Sequence, residues 1–241
     1  MKAYIIKIEF SELEPRAWRR VVVPGQCTFR RLHDTIQLVT NFKSLFGTDL
    51  HMYEFILERD NIRVTNDEFS YEQHKDFERN KKTYMVQLKS SNSQYAQFER
   101  NRIKALGVQV RKPTSIKIDR YLEEYGSLEY TYDFGDSWSI LVTLEEIVHD
   151  YHFGFPTLLD GEGEAPPEDV GGVEGFKEFL AEYSNPKSKH HKTTREWAKS
   201  RNYREYDPEW INHMLKSAKW RRTEWDMINH ENYNVVDDKY R

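Results

Sequence analysis

Residues 128–134 and 138–144 alternate apolar and polar side chains on either side of Gly135-Asp136-Ser137. Alternation of period two places successive side chains on opposite faces of a strand, and Gly-Asp-Ser is turn chemistry. This stretch therefore predicts a β-hairpin with one buried face. Residues 4–10 repeat the pattern, with Tyr4, Ile6, Ile8 and Phe10 on one side and Ile5, Lys7 and Glu9 on the other. Residues 17–23 read as their hairpin partner across the turn material at 12–15, and 51–58 as a further strand carrying Tyr53, Phe55 and Leu57 on one face.

Helical spacing appears in two places. Thr28 offers an N-cap hydroxyl to a helix over 28–41, where Phe29, Leu32, Ile36 and Val39 form the apolar stripe. Val173, Phe176, Leu180 and Tyr183 line a second helix over 173–183, which Asn185-Pro186 terminates. A helix over 94–106 ends at Gly107, and another is expected over 208–219. Residues 117–124 are expected to return the chain to the sheet. The fold class predicted is α+β: one main sheet packed by two or three helices. Residues 1–219 are expected to form a single domain with a basic insertion at about 60–115, followed by a charged, aromatic tail at 220–241.

Charge is distributed unevenly. Between 121 and 182 stand sixteen acidic residues and one basic one, Lys177, whereas 75–120 holds twelve basic and four acidic residues, although the whole chain carries only −4. The pI near 6.2 weighs against a dedicated duplex-DNA binder, whose affinity rests on phosphate neutralisation. The basic stretch, with Phe77, Tyr84, Tyr95 and Phe98 interleaved, keeps nucleic acid in view through Arg100, Arg102, Lys104, Arg111 and Lys112. No apolar run approaches a membrane span and the first residues read as a strand, so a soluble cytoplasmic protein without membrane contact is the expectation. Cys27 is the single cysteine, which excludes intrachain disulfides and cysteine-rich zinc sites. His33, a turn or two further on, reads as a surface histidine.

Two glycine-punctuated strings fall in the acidic window: YTYDFGDSW (130–138) and DGEGEAPPEDVGG (160–172). In the first, Asp133 is expected on the polar face of its strand beside Glu129 and Thr131, with Asp136 in the turn. Adjacent carboxylates repel, so a cation or several donors must compensate them. Hard cations such as Mg²⁺ favour carboxylate oxygens. In the second string, Pro166-Pro167 stiffens an extended stretch and Glu168-Asp169 precede a helix start, where carboxylates also serve as caps. A loop facing the turn would gather Asp133, Asp136, Glu162, Glu164, Glu168 and Asp169 beside Trp138 into one electronegative concavity. Asp133, Asp136, Glu168 and Asp169 are the candidate ligands for Mg²⁺ or Mn²⁺; the bland alternative is that turn amides and helix caps account for each of them. The Asp133-Phe134-Gly135 triplet lacks the companion motifs of a kinase.

Taken in order, IIKIEF, PRAWRRVVVPG, TFRRLHDTIQ, HMYEF, YTYDFGDSW, GEGEAPPEDVGG and YDPEWIN resemble the plasmid-Ri ORF-three-like family from Lys2 to about Asn212, with the least agreement at 60–115. Members are often described as passengers of an insertion element with a resolvase-like label. The resemblance implies a compact α+β fold with a bent sheet and no settled activity; this chain shows no serine-recombinase pattern. Where members place a histidine two residues after the tryptophan, Ile140 stands here; where many have cysteine before the acidic loop, Leu158 and Leu159 stand. Paired histidines near 51–59 are reduced to His51, with Tyr53 in the second place. These departures imply an all-oxygen site if any. Three functions follow as expectations: a mobile-element-associated interaction module holding a basic protein or nucleic acid, a Mg- or Mn-dependent hydrolase or nuclease, and an accessory structural protein.

Overall fold

A computed structural model describes residues 1–42, 49–90 and 96–220. Its centre is an open eight-stranded sheet built from β1 (Ala3–Phe10), β2 (Trp18–Pro24), β3 (Tyr53–Leu57), β4 (Ile62–Thr65), β5 (Gln109–Arg111), β6 (Ser127–Tyr132), β7 (Trp138–Val148) and β8 (Thr157–Glu162). The spatial order is β5-β4-β3-β6-β7-β1-β2-β8. Every neighbouring pair is antiparallel except β4–β5, which makes the sheet mixed and the class α+β, as the alternation predicts. Seven helices accompany it among the described residues: α1 (Phe29–Val39), α2 (Glu68–Ser90), α3 (Ala96–Leu106), α4 (Asp119–Tyr125), α5 (Gly172–Tyr183), α6 (His191–Ser200) and α7 (Pro208–Leu215). No helix among those residues is long and apolar enough to cross a membrane. The tail expected at 220–241 lies outside the described residues beyond Trp220.

Period-two burial gives the sheet one heavily covered face. Tyr4, Ile6 and Ile8 of β1, Tyr53 and Phe55 of β3, Leu128, Tyr130 and Tyr132 of β6 and Ile140 and Val142 of β7 share a core with Phe29, Leu32 and Ile36 of α1 and with Leu122, Phe176, Phe179 and Leu215. By the same alternation Ile5 and Val22 fall on the reverse face, where Tyr151, Phe153 and Leu159 complete a smaller cluster. Thr28 caps α1 by accepting from Arg31 N at 3.3 Å, and Asp207 caps α7 from Trp210 N at 3.0 Å ahead of Pro208.

Residues 117–124 do not return to the sheet. Most of this stretch is α4, where Ile118 at the N-cap position, Leu122 and Tyr125 follow helical spacing, and Gly126 closes it in the left-handed conformation with N–H to Leu122 O at 3.0 Å. Two further segments are regular where none was expected, β8 and α6. The 60–115 stretch begins and ends in sheet strands, β4 and β5, with α2 and α3 between them.

His33 is not on the surface. It is fully buried on α1, stacked on Tyr53 with ring centroids 3.7 Å apart, and its Nδ1 is 2.8 Å from the Tyr130 hydroxyl. Its Nε2 lies 3.4 Å from an Asp49 oxygen, and Arg30 pairs with the same carboxylate at 2.8 Å. Burial pushes the His33 imidazole down to about 4 against the raising effect of Asp49. Cys27 is likewise sealed, and burial raises its thiol well above the ordinary range, so it is no nucleophile.

Candidate metal centre

Three chain segments converge at one end of β3 and β6. The first is the lead into β3, where His51 stands two residues before Tyr53. The second is the turn after β6: Asp133 N donates to Met52 O at 2.9 Å, and Asp133 leaves the strand in the left-handed region at φ 53°. The alternation places Asp133 with Glu129 and Thr131 on the polar face; the strand instead ends at Tyr132. The backbone twist turns its largely buried carboxylate toward His51, and Oδ1 accepts from Gly135 N at 2.9 Å. Asp and Asn tolerate this conformation better than other side chains because they bond locally to the backbone.

The third segment is the Pro166-Pro167-Glu168-Asp169 loop ahead of α5. Asn41, just past α1, fixes it by donating to Ala165 O at 2.7 Å and by a bridge to Pro167. Glu168 is 4% exposed, and its Oε1 accepts from the Tyr132 hydroxyl at 2.9 Å. Asp169 is exposed, sits at φ 56°, and pairs with Arg201 Nη1 at 2.7 Å. Gly172 must be a glycine: its φ is +69° and a Cβ there would come within 3.1 Å of Asp136 O.

His51 sits among these carboxylates. Its Nδ1 is 3.6 Å from Asp133 Oδ1, and its Nε2 is 3.6 Å from both Glu168 Oε2 and Asp169 Oδ1. One ligand atom each from His51, Asp133 and Asp169 lies within 4.8 Å of the others. Donors about 3.4 Å apart are what a tetrahedral ion with bonds near 2.1 Å requires, so the spacing fits a metal after small side-chain adjustments. The Tyr132 ring meets the imidazole edge-on, with centroids 5.7 Å apart, and forms the floor of the site.

The other residues singled out in the sequence go elsewhere. Asp136 turns away from the cluster and its Oδ2 accepts from Gly171 N at 3.2 Å, tying the hairpin turn to the α5 loop. Trp138 is buried against Phe10, Phe42 and Phe176. Part of the expected acidic loop is strand β8, in which exposed Glu162 pairs with Trp18. Gly161 is needed there because a Cβ would meet Tyr206 Oη at 2.7 Å and Trp18 O at 2.9 Å. Glu164 Oε2 accepts from Tyr206 N at 2.9 Å and the Tyr203 hydroxyl at 3.2 Å, and burial raises its pKa. Of the expected set Asp133, Asp136, Glu168 and Asp169, the fold brings Asp133, Glu168 and Asp169 to His51 and engages Asp136 with Gly171 N. His51 was legible as one survivor of a histidine pair, but only folding shows which carboxylates it meets.

The basic candidates lie apart, on and beside the helical segment. Arg100, Arg102 and Lys104 are exposed on α3, with the Arg102 guanidinium 5.9 Å from the Tyr84 ring centre. Arg111 is exposed on β5, and Lys112 pairs with Glu68 at 2.8 Å. Phe77 is buried, not interleaved at the surface, and Tyr95 lies outside the described residues.

The model of the plasmid pRiA4b ORF-3-like protein family matches residues 2–214. The uncharacterized protein y4hQ of Sinorhizobium fredii (strain NBRC 101917 / NGR234) is 27% identical over 198 residues, 82% of this chain and 81% of that protein. Among solved structures, protein MM3350 of unknown function from Methanosarcina mazei Go1 superposes with a TM-score of 0.57 at 24% identity. That likeness covers 86% of this chain and 93% of the other, and shows the shared fold.

Proposed function

This chain belongs to the plasmid pRiA4b ORF-3-like protein family, and we propose that it works as a divalent-metal-dependent hydrolase centred on His51, Asp133 and Asp169, with Glu168 orienting the imidazole. The observation that carries the reading is the placement of His51 Nε2 at 3.6 Å from two carboxylates while Nδ1 faces a third. An imidazole that ligates through one nitrogen and is held at the other by a carboxylate is a recurrent arrangement in metal sites. One nitrogen with several oxygens suits Mn²⁺ or Zn²⁺ better than Mg²⁺, which prefers an all-oxygen shell.

Burial favours catalysis over a closed structural site. Glu168 is sealed below, whereas the side chain of Asp169 is 46% exposed and that of His51 25%. An ion bound by these residues would be reachable from solvent on the Asp169 side, the feature that separates catalytic from structural centres. The chemistry the ion supplies is water activation and polarisation of a scissile bond. The protein's own part is to orient: Tyr132 holds Glu168 and Gly135 N holds Asp133.

Calorimetric titration with Mn²⁺ and Zn²⁺ tests this. One ion per chain is expected, and the double variant Glu168→Gln/Asp169→Asn should weaken binding by about a hundredfold or more, since even outer-shell changes cost ten- to a hundredfold. Hydrolysis of chromogenic ester and phosphoester substrates should appear with the ion and vanish in the variant. Absence of binding by the folded parent protein to either ion sinks the proposal; binding without any hydrolysis sinks its enzymatic half.

A further inference from the structure

His51 keeps its place without belonging to a strand. β3 begins at Tyr53, and its pairing with β4 ends where Glu54 faces Thr65, after which the chain leaves for α2. The next rung of an antiparallel ladder would set Tyr53 opposite Asn66. A side chain supplies that rung instead: Asn66 Oδ1 accepts from Tyr53 N at 2.9 Å, and Nδ2 donates to His51 O at 3.1 Å. Nδ2 also donates to Asp49 Oδ2 at 3.0 Å, so both amide hydrogens are used. Reversing the amide would set N–H against N–H at Tyr53, which leaves one orientation. On the other edge of the segment, Asp133 N donates to Met52 O at 2.9 Å. Asn66 follows directly on Thr65, the last residue of β4, so the strand end fixes it and not the helix beyond.

We propose that Asn66 is the positioning residue of this centre. It aims the His51 imidazole at Asp133, Glu168 and Asp169 by holding the chain at Asp49 before the histidine and at its carbonyl and Tyr53 N after it. A functional group has to be kept within about 0.5 Å of its productive place. Backbone outside a ladder meets that tolerance where side chains supply the missing bonds. Asparagine suits the task because it carries donor and acceptor on a short stem; aspartate lacks the donors, and glutamine sets the amide one carbon further out. The same device occurs at β8, where Asn212 of α7 accepts from Leu158 N at 2.8 Å and donates to Leu158 O at 3.0 Å. Leu158 carries no candidate ligand, which makes Asn212 the matched control. The bearing of Asn66 on metal binding rests on the hydrolase reading above; its aiming of the ring does not.

Two alanine variants of the whole chain test this side by side. Asn66→Ala and Asn212→Ala should each lower the urea midpoint, since each leaves a strand N–H and C=O without partners. Only Asn66→Ala should weaken Mn²⁺ binding in calorimetric titration, by about tenfold or more, the usual loss when an outer-shell partner is removed. A second readout needs no metal. The His51 and Tyr132 rings meet edge-on with centroids 5.7 Å apart, and in EDTA their nuclear Overhauser contact should persist in the parent and in Asn212→Ala but vanish in Asn66→Ala. Asn66→Gln should show both losses in smaller measure, and it supplies the answer if the alanine variant does not fold. A parent that binds no metal removes the hydrolase reading, and the ring contact then decides on Asn66 alone. An unchanged ring contact or unchanged Mn²⁺ affinity in the Asn66 variant, or equal affinity losses in both alanine variants, overturns the proposal.

Discussion

His33 and His51 both meet a carboxylate and a tyrosine, and the Tyr132 ring lies beside each, with centroids 6.1 Å and 5.7 Å away. The first is sealed under α1; the second stands at the rim of the same sheet. Sealing makes His33 a neutral packing element, because a buried imidazolium would cost more than one carboxylate at 3.4 Å returns. At the rim, water can replace whatever the imidazole lacks, and three carboxylates converge where one would suffice for a hydrogen bond. Residue type alone does not separate structure from chemistry here. The number of charges gathered, and whether a small ligand can reach them, does.

The comparison breaks most visibly at His33. His33→Ala should cost roughly 3–4 kcal/mol in urea unfolding, through a cavity and the loss of partners for Tyr130 and Asp49, while leaving Mn²⁺ affinity within about twofold. A change in metal affinity as large as the change in stability would mean that the two histidines form one unit.

Acid should reveal the same contrast. The folded His33 value of about 4 lies below the unfolded 6.5, so the unfolded chain takes up its proton first. Stability from this group is complete above pH 6.5, declines as pH falls, and is gone below about 4. The span is worth up to about 3 kcal/mol. His33→Gln should flatten the stability profile in that window, and parallel profiles for parent and variant would contradict the assignment.

The smallest effect is expected at Arg201. Its contact with Asp169 neutralises a carboxylate that a metal ion would otherwise use, and both side chains are about half exposed. Arg201→Ala should therefore tighten Mn²⁺ binding only a few-fold, in keeping with the modest worth of a solvated ion pair. Weaker binding in this variant would make Arg201 part of the scaffold that holds the loop.

Much of the sheet can be read from alternation alone, since 4–10, 17–23, 51–58 and both arms of the 128–144 hairpin carry a period-two pattern in sequence. What escaped has physical reasons. β8 reads as loop because Asp160, Gly161 and Glu162 look like turn material; the glycine is there to let β8 pass close to β2, across a register shift between Arg20 and Val21. α4 is short, and its apolar residues fit a strand nearly as well as a helix until Gly126 is recognised as a cap. At the centre, the carboxylate-rich strings were visible, but Asp133 and Asp169 reach His51 through left-handed backbone that period-two reasoning cannot represent. Tertiary neighbours decided which of the six candidate acids turn inward and which tie loops together.

The parallel pairing of β4 with β5 has a topological consequence. Parallel neighbours cannot be joined by a tight turn, and a crossover of roughly a dozen residues suffices to return the chain. Residues 66–108, between Thr65 and Gln109, number 43. About thirty of them are surplus to closing the ladder, and both ends of the surplus are anchored in adjacent strands. The scaffold can therefore lengthen, shorten or exchange this crossover without disturbing the register of β3 or the seat of His51. In this architecture the sheet fixes the geometry of the site, and the crossover is the part whose length that geometry does not fix.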